Sequence, residues 1–187
     1  MKKTFETYGT IIFDPPEQTD KQIRQSEWKR IAIIQIDEDR DMAKYYAWFF
    51  KKRYNITLMP PLRGTHVTFI NDSVRDMGGT EKYDQLKSQW NGKQVPVILD
   101  VNPKMNDDGE IWLIVPEEER KDIHALRAMI GLGRPYFGLH MTIGNALNAK
   151  PQVDEFGVQN AIRAKEMNLE QVRYIHELYK KGRLLDE

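Results

Sequence analysis

The sequence predicts an α+β domain in which two β-α-β lobes, related by a pseudo-twofold axis, enclose a central cleft and carry their helices on the outer faces. The first observation behind this prediction is a duplicated template, Pro-x-x-Gly-x-His-x-Thr-apolar, in PLRGTHVTF (61–69) and PYFGLHMTI (135–143). The second is that each template follows a strand and a helix in the same order, as expected of two related structural units. With 187 residues, the chain is expected to form a single bilobal domain over 1–187.

The first half is predicted to contain a strand, a helix and a motif strand. Residues 31–36, IAIIQI, form an apolar run rich in β-branched side chains, which is typical of a buried strand. Residues 37–54 begin with acidic and end with basic side chains, and this order complements the helix dipole. The motif strand follows around residues 61–70.

The second half repeats this order. Residues 111–115, IWLIV, form the predicted strand, and residues 116–133 form the predicted helix. Proline and glutamates open this helix, and glycines close it. The second motif strand follows around residues 135–144.

The other segments are predicted from simpler patterns. A strand, a helix and a further strand are expected over 7–14, 81–92 and 94–101. Polar residues 17–27 are expected to form a loop or irregular arm, and NDDGE near residue 110 a hairpin turn. Residues 154–183 have apolar side chains at helical spacing.

Composition excludes several classes of function. The chain has no cysteine, which excludes disulfides, thiolate chemistry and cysteine-based zinc sites. Its 28 basic and 28 acidic residues balance, so we expect a small anionic substrate and not a long nucleic acid. The first residues lack the apolar segment of a signal peptide, and the longest apolar run, 45–50, is too short to span a membrane. We expect a cytoplasmic protein without membrane association.

The paired motifs indicate a catalytic site. Side chains alternate along a strand, so His66 and Thr68 share one face, as do His140 and Thr142. Two such strands, placed side by side, would present all four side chains to one cleft. A neutral and a protonated histidine can act as general base and general acid in phosphodiester cleavage, and threonine hydroxyls can stabilise the phosphoryl oxygens. This chemistry requires no metal and no cofactor, and none is predicted.

Over residues 28–145, the two His-x-Thr motifs resemble those of the 2H phosphoesterase superfamily. TYGTIIFDPP at the N-terminus, PPLRGTHVTFI and GLHMTIGNA are similar to the phage anti-CBASS phosphodiesterases, which destroy the cyclic oligonucleotide signals of bacterial antiphage immunity. The resemblance implies an enzyme that cleaves 3′–5′ phosphodiester bonds in small cyclic oligonucleotides, in the host cytoplasm, so that a phage evades CBASS immunity.

Four residues beside the predicted cleft are predicted to bind substrate. Arg63, three positions before His66, can reach a phosphate through its forked guanidinium. Tyr136 and Phe137 occupy the equivalent loop of the other half and can stack on a base. Tyr8 is included partly on the family resemblance, and for all four a purely structural role stays open.

Two other functions stay open, an RNA 2′,3′-cyclic phosphodiesterase or RNA-end processing enzyme of the same superfamily, and a non-catalytic nucleotide-binding protein. The substrate distinguishes the first, and the second has no need for both histidines and both threonines.

The remaining histidines, His124 and His176, lie in helical patterns without a partner motif. They are predicted to be surface or half-buried residues. The sequence leaves open which motif histidine is the acid.

Overall fold

The computed structural model of the protein describes residues 4–17, 20–37, 43–61, 63–106 and 109–146. The strands in this part of the chain are β1 (Thr4–Phe13), β2 (Lys29–Ile36), β3 (Leu58–Met59), β4 (His66–Ser73), β5 (Gln94–Asp100), β6 (Lys104–Met105), β7 (Glu110–Ile114) and β8 (His140–Ala146). The α-helices are α1 (Asp20–Ser26), α2 (Ala43–Tyr54), α3 (Glu81–Trp90) and α4 (Lys121–Met129), and Glu117–Glu119 form a 3-10 turn before α4. The mixed α+β class is therefore confirmed.

All of these strands belong to one antiparallel sheet. Its order is β5-β1-β2-β4-β8-β7-β6, with β3 beside β8. Strands β5 and β7, near opposite ends of this order, contact each other, so the sheet curls into a half-barrel. The sheet is continuous across both halves of the sequence, and the division into two lobes stays a prediction.

The two motif strands are neighbours at the centre of the sheet. Strands β4 and β8 run antiparallel and pair at Val67 and Met141. Each motif strand has its outer partner from its own half of the sequence, β2 for β4 and β7 for β8. The registers on the two sides are equivalent, with His66 opposite Gln35 and Thr68 opposite Ile33, and His140 opposite Ile114 and Thr142 opposite Trp112. The four central strands thus repeat one arrangement.

The helices and the apolar sheet face form the core. Val67 and Met141 are fully buried on this face, and so are the helix α2 side chains Tyr46 and Phe50. Because side chains alternate along β4 and β8, burial of Val67 and Met141 directs the motif histidines and threonines to the opposite face. The hydrophobic pattern therefore fixes which face carries the polar residues.

One sequence-based assignment was wrong. Residues 17–27, expected to be a loop or irregular arm, contain helix α1. The segment DKQIRQS has no glycine or proline and is rich in straight-chain helix formers, but it lacks the apolar stripe by which the other helices were assigned.

The observed bounds of two helices differ from the predicted bounds. The helix predicted over 37–54 is observed from Ala43, with residues 38–42 outside the described part. The helix predicted over 116–133 is divided into the 3-10 turn and α4, which ends at Met129. The predicted helical segment over 154–183, including His176, lies outside the described residues.

Candidate active site

A cleft of about 600 Å³ opens on the polar face of strands β4 and β8. His66, Thr68, His140 and Thr142 all line it. The antiparallel register through Val67 and Met141 sets His66 beside Thr142, and Thr68 beside His140. Each imidazole therefore has a hydroxyl from the other strand as its neighbour, an arrangement that requires both halves of the sequence.

Both imidazoles are held in the same orientation. The Nδ1 atom of His66 lies 2.7 Å from the carbonyl oxygen of Gly64, and Nδ1 of His140 lies 2.8 Å from the carbonyl oxygen of Gly138. A carbonyl only accepts hydrogen bonds, so each Nδ1 must carry the hydrogen. In the neutral ring, Nε2 is then left as the basic nitrogen. The Gly-x-His spacing of both motifs thus has a specific function, which is to select the tautomer.

The two motif glycines differ in backbone conformation. Gly64 has φ +68° and closes a turn in which its N–H donates to the carbonyl of Pro61 at 2.9 Å. A Cβ atom there would lie 3.2 Å from Nε2 of Gln35. Gly138 does not have a positive φ, and a Cβ atom would make ordinary contact with the guanidinium of Arg120. The left-handed conformation that favours glycine is therefore found at Gly64 and not at Gly138.

The environment of His66 favours its neutral form. Burial is the largest cause and lowers the pKa of His66 below its usual value. The hydrogen bond to the Gly64 carbonyl acts in the opposite direction, and the positive charges of Arg63 and His140 lower the pKa further. His66 is therefore suited to begin a reaction as a base.

The two threonines have different hydrogen-bond partners. The Thr142 hydroxyl donates to Oε1 of Glu110 at 2.9 Å. The Thr68 hydroxyl has no partner among the described residues, so its hydrogen is available to a ligand. Glu110 was not predicted from the sequence, because it lies in the segment assigned to the hairpin turn before the second strand. Its place at the first position of β7, opposite Asn145, brings it into the cleft.

Two of the four predicted substrate-binding residues line the cleft. Arg63 does so, and its Nη2 atom is buried without a hydrogen-bond partner in the described structure. Phe137 also lines the cleft, with its ring 73% exposed. Tyr136 is 95% exposed and packs edge-on against Phe137, but it is not part of the cleft wall. Tyr8 lies on β1, two strands away from β4, and does not line the cleft.

A smaller, more apolar side chamber of about 360 Å³ adjoins the cleft. It shares Glu110, Phe137 and His140 with the cleft and adds the ring of Trp112, whose centroid lies 6.0 Å from that of His140. Trp112 was not predicted to be a site residue, because a continuous apolar run such as IWLIV predicts a buried strand without a polar face.

An ion pair between buried Arg127 and partly exposed Asp72 lines the cleft. Arg127 is only 3% exposed and contacts both carboxylate oxygens of Asp72, at 2.8 and 3.2 Å. Its guanidinium also donates to the carbonyl oxygens of Phe69 and Gly133. Because these partners occupy Nε and both terminal nitrogens, Arg127 has a structural role. The other lysine and arginine side chains of the cleft wall are Arg63 and Lys29.

In the described residues, no group of three or more histidine, aspartate and glutamate side chains could hold a metal ion. No helix in that part of the chain is both long enough and apolar enough to cross a membrane. The chain matches no protein-family model, no curated protein and no solved structure with which it was compared.

Proposed function

We propose that this protein is a metal-independent phosphodiesterase that cleaves 3′–5′ bonds of small cyclic oligonucleotides. The observation that supports this most directly is the pair of imidazoles in one cleft, each with Nδ1 bound to a glycine carbonyl and Nε2 free to react. A binding protein has no need for two histidines held in the same tautomer. Acid–base catalysis requires both histidines, one as the base and the other as the acid.

The first step is attack by a ribose 2′-hydroxyl on the adjacent phosphorus. His66 is the base, because its lowered pKa favours the neutral ring, and its Nε2 accepts the hydroxyl proton. A bond forms between the 2′ oxygen and phosphorus, and the bond to the 5′ oxygen breaks. His140 gives its Nε2 proton to the departing 5′ oxygen. The products of this step are an opened ring and a 2′,3′-cyclic phosphate.

The second step reverses the two roles. His140, now neutral, accepts a proton from water, and the resulting hydroxide attacks the cyclic phosphate. His66 returns its proton to the 2′ oxygen as that bond breaks, which leaves a 3′-phosphate and restores both histidines. The Thr68 hydroxyl can donate to a non-bridging phosphoryl oxygen in both steps, where negative charge develops.

The cleft supports a nucleotide substrate of limited size. Its volume of about 600 Å³ is within the usual range for small-molecule sites. Arg63 contributes a positive charge to the cleft wall, and Trp112 and Phe137 offer aromatic surface to bases. The resemblance to anti-CBASS enzymes adds the substrate class, and removal of such a signal would protect an infecting phage.

The test is incubation of the protein in EDTA with cyclic di- and trinucleotides and with RNAs that end in 2′,3′-cyclic phosphate, followed by mass spectrometry. We expect ring opening through a transient 2′,3′-cyclic phosphate, and no cleavage when the attacking 2′-hydroxyl is replaced by hydrogen. Cleavage of the 2′-deoxy ring at the native rate would show that water is the nucleophile. Cleavage of RNA ends alone would identify the RNA-processing alternative.

A further inference from the structure

The duplicated motif extends further than its histidine and threonine. Strand β4 reads His-Val-Thr-Phe-Ile-Asn and strand β8 reads His-Met-Thr-Ile-Gly-Asn, so Asn71 and Asn145 each stand five positions after a motif histidine. In a regular strand, an odd offset would place these amides on the face opposite to the histidine. Both nevertheless line the cleft.

A β-bulge in each strand accounts for this. Consecutive residues Ala32 and Ile33 of β2 pair with Ile70 and Thr68, so Phe69 is an extra residue. In the same way, Ile111 and Trp112 of β7 pair with Gly144 and Thr142, so Ile143 is extra. A bulge reverses the alternation beyond it and is a common means of redirecting a side chain near an active site. Both asparagines are consequently exposed next to a buried neighbour in the strand.

Separate contacts support the two bulges. The Phe69 carbonyl accepts a hydrogen bond from buried Arg127 at 2.6 Å. On the other side, Gly144 lets strand β3 approach, since a Cβ atom there would lie 2.8 Å from the carbonyl oxygen of Met59. Different interactions thus support a bulge at the same position of each motif strand.

The asparagines lie at opposite ends of the cleft. Strands β4 and β8 are antiparallel, so Asn71 lies beyond Thr68 in one direction and Asn145 beyond Thr142 in the other. At ~3.3 Å per residue, and with one residue taken up by each bulge, each amide lies ~7 Å from its threonine along the strand. A phosphate between the two histidines would therefore have one amide on each side.

Neither amide side chain has a hydrogen-bond partner among the described residues, so both its donor and its acceptor are available. An asparagine amide places a donor beside an acceptor, which matches the N6–H and N7 of adenine and not the two acceptors, N7 and O6, of guanine. We propose that Asn71 and Asn145 recognise the bases of the two nucleosides that flank the scissile phosphate, with adenine as the preferred base. This inference rests on the proposed function and specifies its substrate.

The test measures binding of cyclic di-2′-deoxyadenylate, which lacks the attacking hydroxyl, by isothermal titration calorimetry. Asn71→Ala and Asn145→Ala should each raise Kd by about tenfold or more, in keeping with the usual contribution of a bidentate base contact. Gln85→Ala removes an exposed amide from helix α3, outside the cleft, and should leave Kd unchanged. Asn71→Asp and Asn145→Asp keep the side-chain size, lose the donor and should also weaken binding.

A second ligand identifies the atom that is recognised. Replacing adenine by 7-deazaadenine removes the N7 acceptor, so the wild type should bind the analogue more weakly, whereas an asparagine-to-alanine variant should lose little further affinity. In cleavage of the native ring, both alanine variants should raise KM with kcat nearly unchanged.

The outcomes are distinguishable. A wild type that binds and cleaves the native ring, with asparagine variants of unchanged Kd, would overturn this inference and leave the proposed function intact. Equal affinity of the wild type for adenine and 7-deazaadenine rings would overturn it as well. A wild type that neither binds nor cleaves any cyclic dinucleotide would overturn both.

Discussion

Thr142 donates its hydroxyl hydrogen to the Glu110 carboxylate, whereas Thr68, at the equivalent position of the other motif, has no partner in the described structure. A hydroxyl has one hydrogen to donate. Thr142 can therefore only accept a further hydrogen bond while Glu110 stays in place, and Thr68 is the threonine available to stabilise charge on phosphate. Two residues that are equivalent in sequence thus differ in chemistry.

This difference predicts unequal effects of the two alanine substitutions. Thr68→Ala should lower kcat by about a hundredfold, the usual loss when one donor to a developing oxyanion is removed. Thr142→Ala should have a smaller effect, on the order of tenfold or less, because it removes no donor from the phosphate. Single-turnover cleavage of a cyclic dinucleotide measures both. Thr68→Ser keeps the hydroxyl and serves as the control, and an equal loss in the two alanine variants would contradict the assignment.

The histidines are predicted to act as one unit. His66→Ala and His140→Ala should each reduce the cleavage rate by about two to four orders of magnitude. The double variant should be little slower than either single variant, because loss of the acid or the base already disables the shared mechanism. Circular dichroism is needed to show that each variant folds. Cleavage at the wild-type rate by folded single variants would reduce the paired motif to a structural role.

The lowered pKa of His66 predicts where activity falls in acid. As the base, His66 is active when neutral, so kcat/KM should fall as pH drops through a pKa that lies below the ordinary value of about 6.5. Arg63→Gln removes one positive charge that lowers this pKa, so the acid limb should move to higher pH. A pH–rate profile of both proteins provides the comparison, and an acid limb in wild type above pH ~6.5 would assign the base elsewhere.

The same shift affects stability with a defined sign. Between the folded pKa of His66 and the unfolded value of about 6.5, the unfolded state binds more protons. The contribution of His66 to stability is therefore complete above pH ~6.5 and is lost as pH falls through the folded pKa. Urea unfolding at several pH values should show a smaller loss of stability in acid for His66→Asn than for the wild type.

The two motif glycines offer a matched pair of substitutions. Gly64→Ala should lower the free energy of unfolding by about 1–2 kcal/mol, because alanine disfavours the left-handed conformation that Gly64 adopts. Gly138→Ala, where φ is not positive and a Cβ atom would make only ordinary contact with Arg120, should change it by less than about 0.5 kcal/mol. Chemical denaturation of the two variants tests this. Equal destabilisation would mean that the conformation of Gly64 is not what requires glycine.

The sequence determined the local features of this protein. The alternation of His66, Val67 and Thr68 placed the imidazole and the hydroxyl on one face of a strand, and the structure confirms this in both motifs. Strands and helices with a clear apolar period were located to within a few residues. These features depend on neighbouring residues alone, because the two-residue period of a strand and the 3.6-residue period of a helix are properties of the local backbone. Helix α1, which has no such period, was missed.

Only the tertiary structure decided in which register the strands pair and how all of them join in one sheet. Backbone hydrogen bonds between β4 and β8 are independent of side-chain identity, so nothing in either motif specified that Val67 pairs with Met141 or that the two halves share one sheet. The pairing of β7 with β8 brings Glu110 against Thr142. The strand order leaves Tyr8 two strands away from β4. The bulges at Phe69 and Ile143 arise from mismatched registers with β2 and β7, and they turn Asn71 and Asn145 towards the cleft against the alternation that the sequence predicts. A register is a relation between two segments, and it is therefore fixed by their packing against the common core.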